Sequence, residues 1–213
     1  MLSWISDTAF DEAIQDLQQS AEDALTKAES RRRKNVVDPF FTLLLASTFS
    51  VAESADLGDL QQAESAIRGM SGALGAFHQS ILGSVSGWED HDALYDLKSA
   101  ERQIVAEVKN KWNTMNATNR RQVETDLATA IRSLRGDWTA YLVLIVPRKP
   151  VRYSTQIASN VIEIDGASFY HLATGFPNAI HDLFDKLSEK LAPSEGIASY
   201  CKQIMSQSLP PRE

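Results

Sequence analysis

At 213 residues, with 43% hydrophobic and 23% charged content, the chain is long enough to bury a substantial core as one soluble domain. A net charge of −7 argues against a general polyanion binder, and no run approaches the ~20 consecutive apolar residues of a spanning helix. One cysteine, Cys201, and four scattered histidines, His78, His91, His171 and His181, exclude an internal disulfide and offer no zinc-ligand spacing. The N-terminal stretch, acidic at Asp7, Asp11 and Glu12, lacks the basic start of a signal peptide, so a cytoplasmic location is expected.

Within residues 3–29, Phe10, Ile14, Leu17, Ala21, Ala24, Leu25 and Ala28 recur at three- and four-residue spacing, which predicts an amphipathic helix at a domain edge or on a partner subunit. Asp38-Pro39 supplies an N-cap and a first-turn proline for a helix over residues 40–51. That run is apolar almost all round and is expected in the interior. Residues 55–59 read as a break. A second long stripe follows, Leu60, Ala63, Ile67, Met70, Leu74, Phe77 and Ile81, interrupted by Gly69, Gly72 and Gly75.

Residues 94–97 read as a short strand, 98–101 as a turn and 103–111 as a second strand, together a hairpin. Asn119 is expected to cap a helix whose inner face is Val123, Leu127, Ala130, Ile131 and Leu134, with Gly136 ending it. Residues 140–146 are apolar on both faces, as in a central strand with helices on each side. Another strand is expected at 161–164 and a turn at Asp165-Gly166. The remainder reads as helical, with Phe176, Ile180, Leu183, Phe184, Leu187 and Leu191 as its packing stripe and residues 206–213 as a flexible tail. This order is an α/β pattern, with residues 1–213 as a single domain.

Basic residues are unevenly placed. Residues 98–121 carry Lys98, Arg102, Lys109, Lys111, Arg120 and Arg121 against Glu101 and Glu107, and residues 144–159 carry Arg148, Lys149 and Arg152 against no acid. With Arg31-Arg32-Arg33-Lys34, these islands hold 13 of the 21 basic residues. Convergence of the three would make a basic groove on an acidic body; the alternative is three separate solvated patches.

Along the strand 103–111, side chains alternate, so Glu107 and Lys109 project together while Ala106 and Val108 point the other way. Alone, Glu107-x-Lys109 is a common pattern. Asp96, in the preceding arm of the hairpin, supplies a second carboxylate, and two carboxylates suit Mg²⁺, which keeps waters and phosphate oxygens for its other positions. Lys109 beside them would orient an attacking water and stabilise charge growing on phosphorus.

These residues resemble the PD-(D/E)xK nuclease superfamily. The resemblance extends through the blocks RKNVVDPF (33–40), FHQSILG (77–83), GWED (87–90), DLK (96–98), AEVKNKWNT (106–114) and IDGASFY (164–170), which are similar to the small Type II restriction endonucleases that cut interrupted GG/CC palindromes. That likeness covers about residues 30–185. It implies an α/β PD-(D/E)xK core, a central mixed β-sheet flanked by helices, with additional N- and C-terminal helices. It also implies a Mg²⁺-dependent homodimer that cleaves both strands of double-stranded DNA at a GGNCC-like site, with a cognate DNA methyltransferase as its functional companion.

On this reading Asp96 and Glu107 hold metal and Lys109 completes the catalytic site. Tyr95 stands where the superfamily has proline, and Asp90 and Asp92 are competitors for the aspartate position; Asp96 is preferred because it adjoins the hairpin turn. Gln79 and Glu89 are further candidates for holding metal or a water. Arg148, Lys149 and Arg152 are candidates for guanine O6 and N7 or for phosphate, and Lys111, Asn113, Thr114, Asn116, Arg120 and Arg121 for the backbone near the scissile bond. Residues 1–30 or the stripe at 176–191 are available for dimerisation.

Overall fold

Strand β4 (Thr139–Val146) is apolar on both faces and takes the middle of a six-stranded sheet ordered β1-β2-β3-β4-β6-β5 in the computed structural model, which describes residues 2–34, 38–51, 53–91 and 94–213. Asp92 lies outside the described residues, as do the side chains of Arg31, Arg32, Arg33 and Lys34. The other strands are β1 (Glu89–Asp90), β2 (Leu97–Ser99), β3 (Ile104–Lys111), β5 (Ser154–Ala158) and β6 (Val161–Asp165). Strands β3, β4 and β6 run parallel, whereas the edge pairs β1–β2, β2–β3 and β5–β6 are antiparallel. The helices are α1 (Asp7–Lys34), α2 (Pro39–Thr48), α3 (Ser54–Gly83), α4 (Ala117–Ser133), α5 (Gly166–Thr174), α6 (Ala179–Leu191) and α7 (Glu195–Ser208). This is the mixed, helix-flanked sheet of the expected α/β core. None of the described helices is long and apolar enough to cross a membrane.

The chain forms two compact units, residues 1–14 with 77–213, and residues 15–76. In the first, α4 packs one sheet face, where Leu127 and Ala130 join Tyr95, Val105, Trp138, Ala140, Leu142, Leu144 and Val161 in a core cluster. Leu127 is fully buried, so Leu127→Ala would cost about 2–5 kcal/mol. Residues of α5 belong to the opposite side of the sheet: Phe169 lies 5.8 Å from the Tyr141 ring, and a Cβ at Gly166 would stand 2.5 Å from the carbonyl oxygen of Ile145. Glycine at 166 is what lets the helix start against β4. His78 bonds Tyr170 at 2.8 Å through Nδ1, and burial pushes its pKa down to about 4, so it is a neutral core residue.

In the second unit, α1 and α3 meet through small residues. Ala24, Ala28 and Ala66 are buried, and Gly69 comes so near that a Cβ on it would lie 2.7 Å from that of Ala24.

Several local expectations shift. The first arm of the hairpin is 97–99 rather than 94–97, because Leu97 fills the core while Leu94 is exposed. Asn116, not Asn119, caps α4, accepting from the Asn119 amide at 2.8 Å. The break expected at 55–59 is the opening of α3. The apolar run expected in the interior forms α2, with Asp38 and Pro39 in their expected roles, yet none of its ten residues is buried. The strand β5 and the short β1 were not anticipated. Residues 209–213, expected to be flexible, are tied down: Leu209 is buried, His181 Nε2 bonds Pro210 O at 2.8 Å, and Arg212 pairs with Asp182 and Asp185.

Candidate active site

In the antiparallel register Leu97 pairs with Ala106, and Asp96, just before it, lies near Glu107. The Asp96 amide donates to Ala106 O at 2.9 Å, one residue out of that register, so Asp96 and Leu97 both face Ala106. Its side-chain Oδ2 accepts from the Val108 amide at 2.7 Å, leaving Oδ1 without that bond. Burial, then the neighbouring Glu107 carboxylate, push the Asp96 carboxyl up to about 6, with Asp90 adding to the rise. Lys109 Nζ donates to Glu107 Oε1 at 2.5 Å, as alternation on one strand face requires. Three groups, Asp96, Glu107 and Lys109, therefore meet on the hairpin with more negative than positive charge.

Around them, Gln79 Nε2 donates to Asp90 Oδ1 at 2.5 Å and reaches Asp96 O at 3.4 Å, so Gln79 and Asp90 border the aspartate. Glu89 turns to Lys98, 3.1 Å away. Among the described residues, no group of three or more His, Cys, Asp or Glu side chains is disposed to ligate one metal ion. Two carboxylates, Asp96 and Glu107, make up the acidic set.

The parallel strands β3, β4 and β6 end on the same side of the sheet, at Lys111, Val146 and Asp165. Loops leaving their carboxyl ends are where α/β sheets build sites. Trp112 N bonds Val146 O at 3.1 Å, joining the loops after β3 and β4, and the Arg148 guanidinium lies 5.4 Å from the centre of the Trp112 ring. A cavity of about 400 Å³ opens here, lined among others by Trp112, Arg120, Arg148, Lys149, Tyr153 and Glu163. Two of the three basic islands thus converge at one mouth. Leu144 lines the cavity and pairs in register with Lys109, so mouth and hairpin share the α4 face of the sheet.

Not every basic residue there is open. Lys111, Asn113, Arg121, Arg148 and Lys149 are exposed. Thr114 donates its hydroxyl to Lys111 O at 2.8 Å, and Asn116 spends its carbonyl oxygen on the α4 cap. Arg120 pairs with Glu163 and, at 3.1 Å, with Glu124. Arg152 donates to Pro177 O at 2.7 Å and pairs with Glu213 at 2.9 Å. Arg120 and Arg152 are therefore engaged within the protein, whereas Lys111, Arg121, Arg148 and Lys149 are exposed cations in no ion pair among the described residues, and Arg148 and Lys149 line the cavity.

Three residues at the mouth carried no assignment from sequence: Trp112, Tyr153 and Glu163. Glu163 shares the α4 face with Glu107, through the register Glu107–Leu142–Glu163 across three strands. Its one visible signal is an acid on the same strand face as Val161, between Ile162 and Ile164. Burial, with Glu163 beside it, pushes the Tyr153 phenol well above its usual range.

Residues 2–193 match the model of the Eco47II restriction endonuclease family. The chain is also 34% identical, over 205 residues, to the Type II restriction enzyme Eco47II of Escherichia coli, a match spanning 88% of this chain and 85% of the relative. Extending through both the hairpin and the basic mouth, these matches establish that the chain belongs to the Eco47II restriction endonuclease family.

Proposed function

We propose that the chain hydrolyses phosphodiester bonds in both strands of double-stranded DNA at a GGNCC-like site, as a Mg²⁺-dependent homodimer of one endonuclease domain per copy. The observation that carries this reading is the meeting of Asp96, Glu107 and Lys109 beside a basic mouth. The donor set fits Mg²⁺: two carboxylates, one raised in pKa by burial and by the other, form a pair short of positive charge, and Mg²⁺ takes one or two protein carboxylates. Asp96 and Glu107 would hold the ion, which when bound acidifies water and offsets charge on phosphorus.

Lys109 then does what its position allows. Paired with Glu107 before the metal arrives, its ammonium is held on the strand face where it can orient the attacking water and meet the growing oxyanion. Lys111 and Arg121 hold DNA phosphates, and Arg148 with Lys149 reach base edges at the mouth. A palindromic site calls for a two-fold dimer. Such an enzyme works in the cytoplasm, with a methyltransferase of the same specificity protecting host DNA.

Digestion of a plasmid of known sequence with Mg²⁺, followed by sequencing of the ends, tests the reading. Discrete fragments ending in GGNCC-like sites are expected; random nicking, or ends at unrelated sequences, would overturn it. Arg148→Ala is expected to lower discrimination at a guanine by about 1–3 kcal/mol, read from cleavage of single-mismatch duplexes. An equal loss on every sequence would reassign Arg148 to phosphate.

A further inference from the structure

Helix α2 is built inside out. Thr42 Oγ1 accepts from Gln61 Nε2 at 3.1 Å, tying α2 to α3 within the unit 15–76, and Thr42, Leu45 and Ala46 are its half-buried residues. At about 100° per residue, these three occupy one side of the helix. Leu43, Phe40, Leu44 and Phe41 occupy the opposite side, an arc of roughly 160°. They are 71%, 84%, 61% and 49% exposed. Four large apolar groups face outward while Thr42, Ala46 and a single leucine, Leu45, face inward, the reverse of a helix that ends at a solvent surface.

The size and chemistry of the arc select its occupant. The arc offers roughly 500 Å² of apolar surface, among the larger patches on monomeric proteins, and two such faces laid together would bury about 1,000 Å², the threshold of a specific interface. No residue between Asp38 and Glu53 is charged. Such a face gives nothing to DNA phosphates and, at ten residues, α2 is half the length of a membrane span. Laid against its own copy it meets only apolar groups with no like-charge repulsion, which is what an isologous two-fold contact needs. The other exposed stripe, Ile197, Tyr200 and Ile204 on α7, is narrower, an arc of roughly 60°.

We propose that the outward arc of α2, Phe40, Phe41, Leu43 and Leu44, is the surface through which two copies of this chain pair. This rests on the homodimer reading above and gives it an interface. Each copy would bury its arc against the other while its hairpin and basic mouth serve one strand of the DNA.

Light scattering on the full chain during gel filtration at micromolar concentration tests this independently of cleavage. The wild type is expected at twice 23.6 kDa. The double variant Phe40→Ser with Leu44→Ser, and the single variant Leu43→Glu, are expected at half the wild-type mass, with helical circular dichroism retained because the substituted side chains are exposed. Tyr200→Ser on α7 should keep the wild-type mass. Variants of α2 that remain dimeric, or a dimer broken by Tyr200→Ser instead, would overturn the α2 interface and leave the homodimer standing. A wild type monomeric both alone and on DNA carrying its site would overturn the homodimer and the interface with it.

Discussion

Two ion pairs lie on the same face of the sheet and are balanced differently. Glu163 is paired with Arg120, which also serves Glu124, and the Tyr153 phenol lies beside Glu163. Glu107 is paired with Lys109, but a second carboxylate, Asp96, stands beside them with the Val108 backbone amide as its side-chain hydrogen-bond partner among the described residues and a pKa raised to about 6. Each set holds two carboxylates and one cation, but Arg120 bonds both Glu163 and Glu124, whereas Lys109 bonds Glu107 and leaves Asp96 to a backbone amide. A cation held at the hairpin would relieve the burial and repulsion that raise Asp96, whereas Glu163 and Glu124 both already meet Arg120. The comparison sets the proposed centre apart from a structural brace, although both contain a glutamate and a base.

The largest effect expected from breaking the contrast is on cleavage. Glu107→Ala or Lys109→Ala should lower the Mg²⁺-dependent rate by roughly 10³-fold or more, while DNA binding, measured by mobility shift in Ca²⁺, persists. Cleavage near the wild-type rate in either variant would remove the hairpin from the chemistry. Arg120→Ala should do the converse. It strands Glu163, whose side chain is 15% exposed, and should cost about 1–3 kcal/mol of stability in urea melts with much less effect on the rate at saturating DNA. A loss of rate as deep as that of Glu107→Ala would make the brace part of the centre.

Asp96→Asn sharpens the comparison through pH. The folded carboxyl ionises near 6 against an ordinary 3.8, so the folded state holds more protons than the unfolded one between those values. The favourable contribution of the neutral acid is present in full below about 3.8 and is lost as pH rises through about 6. Without metal, Asp96→Asn should therefore be more stable than wild type by about 1–2 kcal/mol near neutral pH, after discounting for the solvent that still reaches the group. The gap should close on acidification toward pH 3.8. Ca²⁺ should raise the melting temperature of the wild type and not of the variant. A variant no more stable than wild type at neutral pH would mean that Asp96 is not strained by its neighbours.

Much of this centre was legible in the sequence because its logic is local. Alternation along 104–111 put Glu107 and Lys109 on one face, and the hairpin spacing brought Asp96 across from them. Glu163 was not legible, since its partner Arg120 lies 43 positions away and nothing in a single strand announces a contact across the sheet. Asn116 and Arg152 looked like groove residues because polar groups near a basic loop have two uses. The fold spends one on a helix cap and the other on Pro177 and Glu213. Helix α2 misled for a different reason. An apolar run specifies that a face will be covered but not whether its own chain covers it.

The smallest expected effect concerns Trp112, whose ring sits under the Arg148 guanidinium. A cation–π contact at an exposed site is worth about 0.5–1 kcal/mol, and here it fixes the direction of a flexible side chain at the mouth. Trp112→Leu keeps an apolar group but removes the ring face, so it should lower guanine discrimination by about 0.5–1 kcal/mol, a few-fold in the ratio of cleavage on matched and mismatched duplexes. Trp112→Phe should recover part of it. In the Arg148→Ala background, Trp112→Leu should have no further effect on discrimination, because a residue that acts by orienting Arg148 has nothing left to orient. Additive losses in the double variant would instead mean that Trp112 touches the DNA itself.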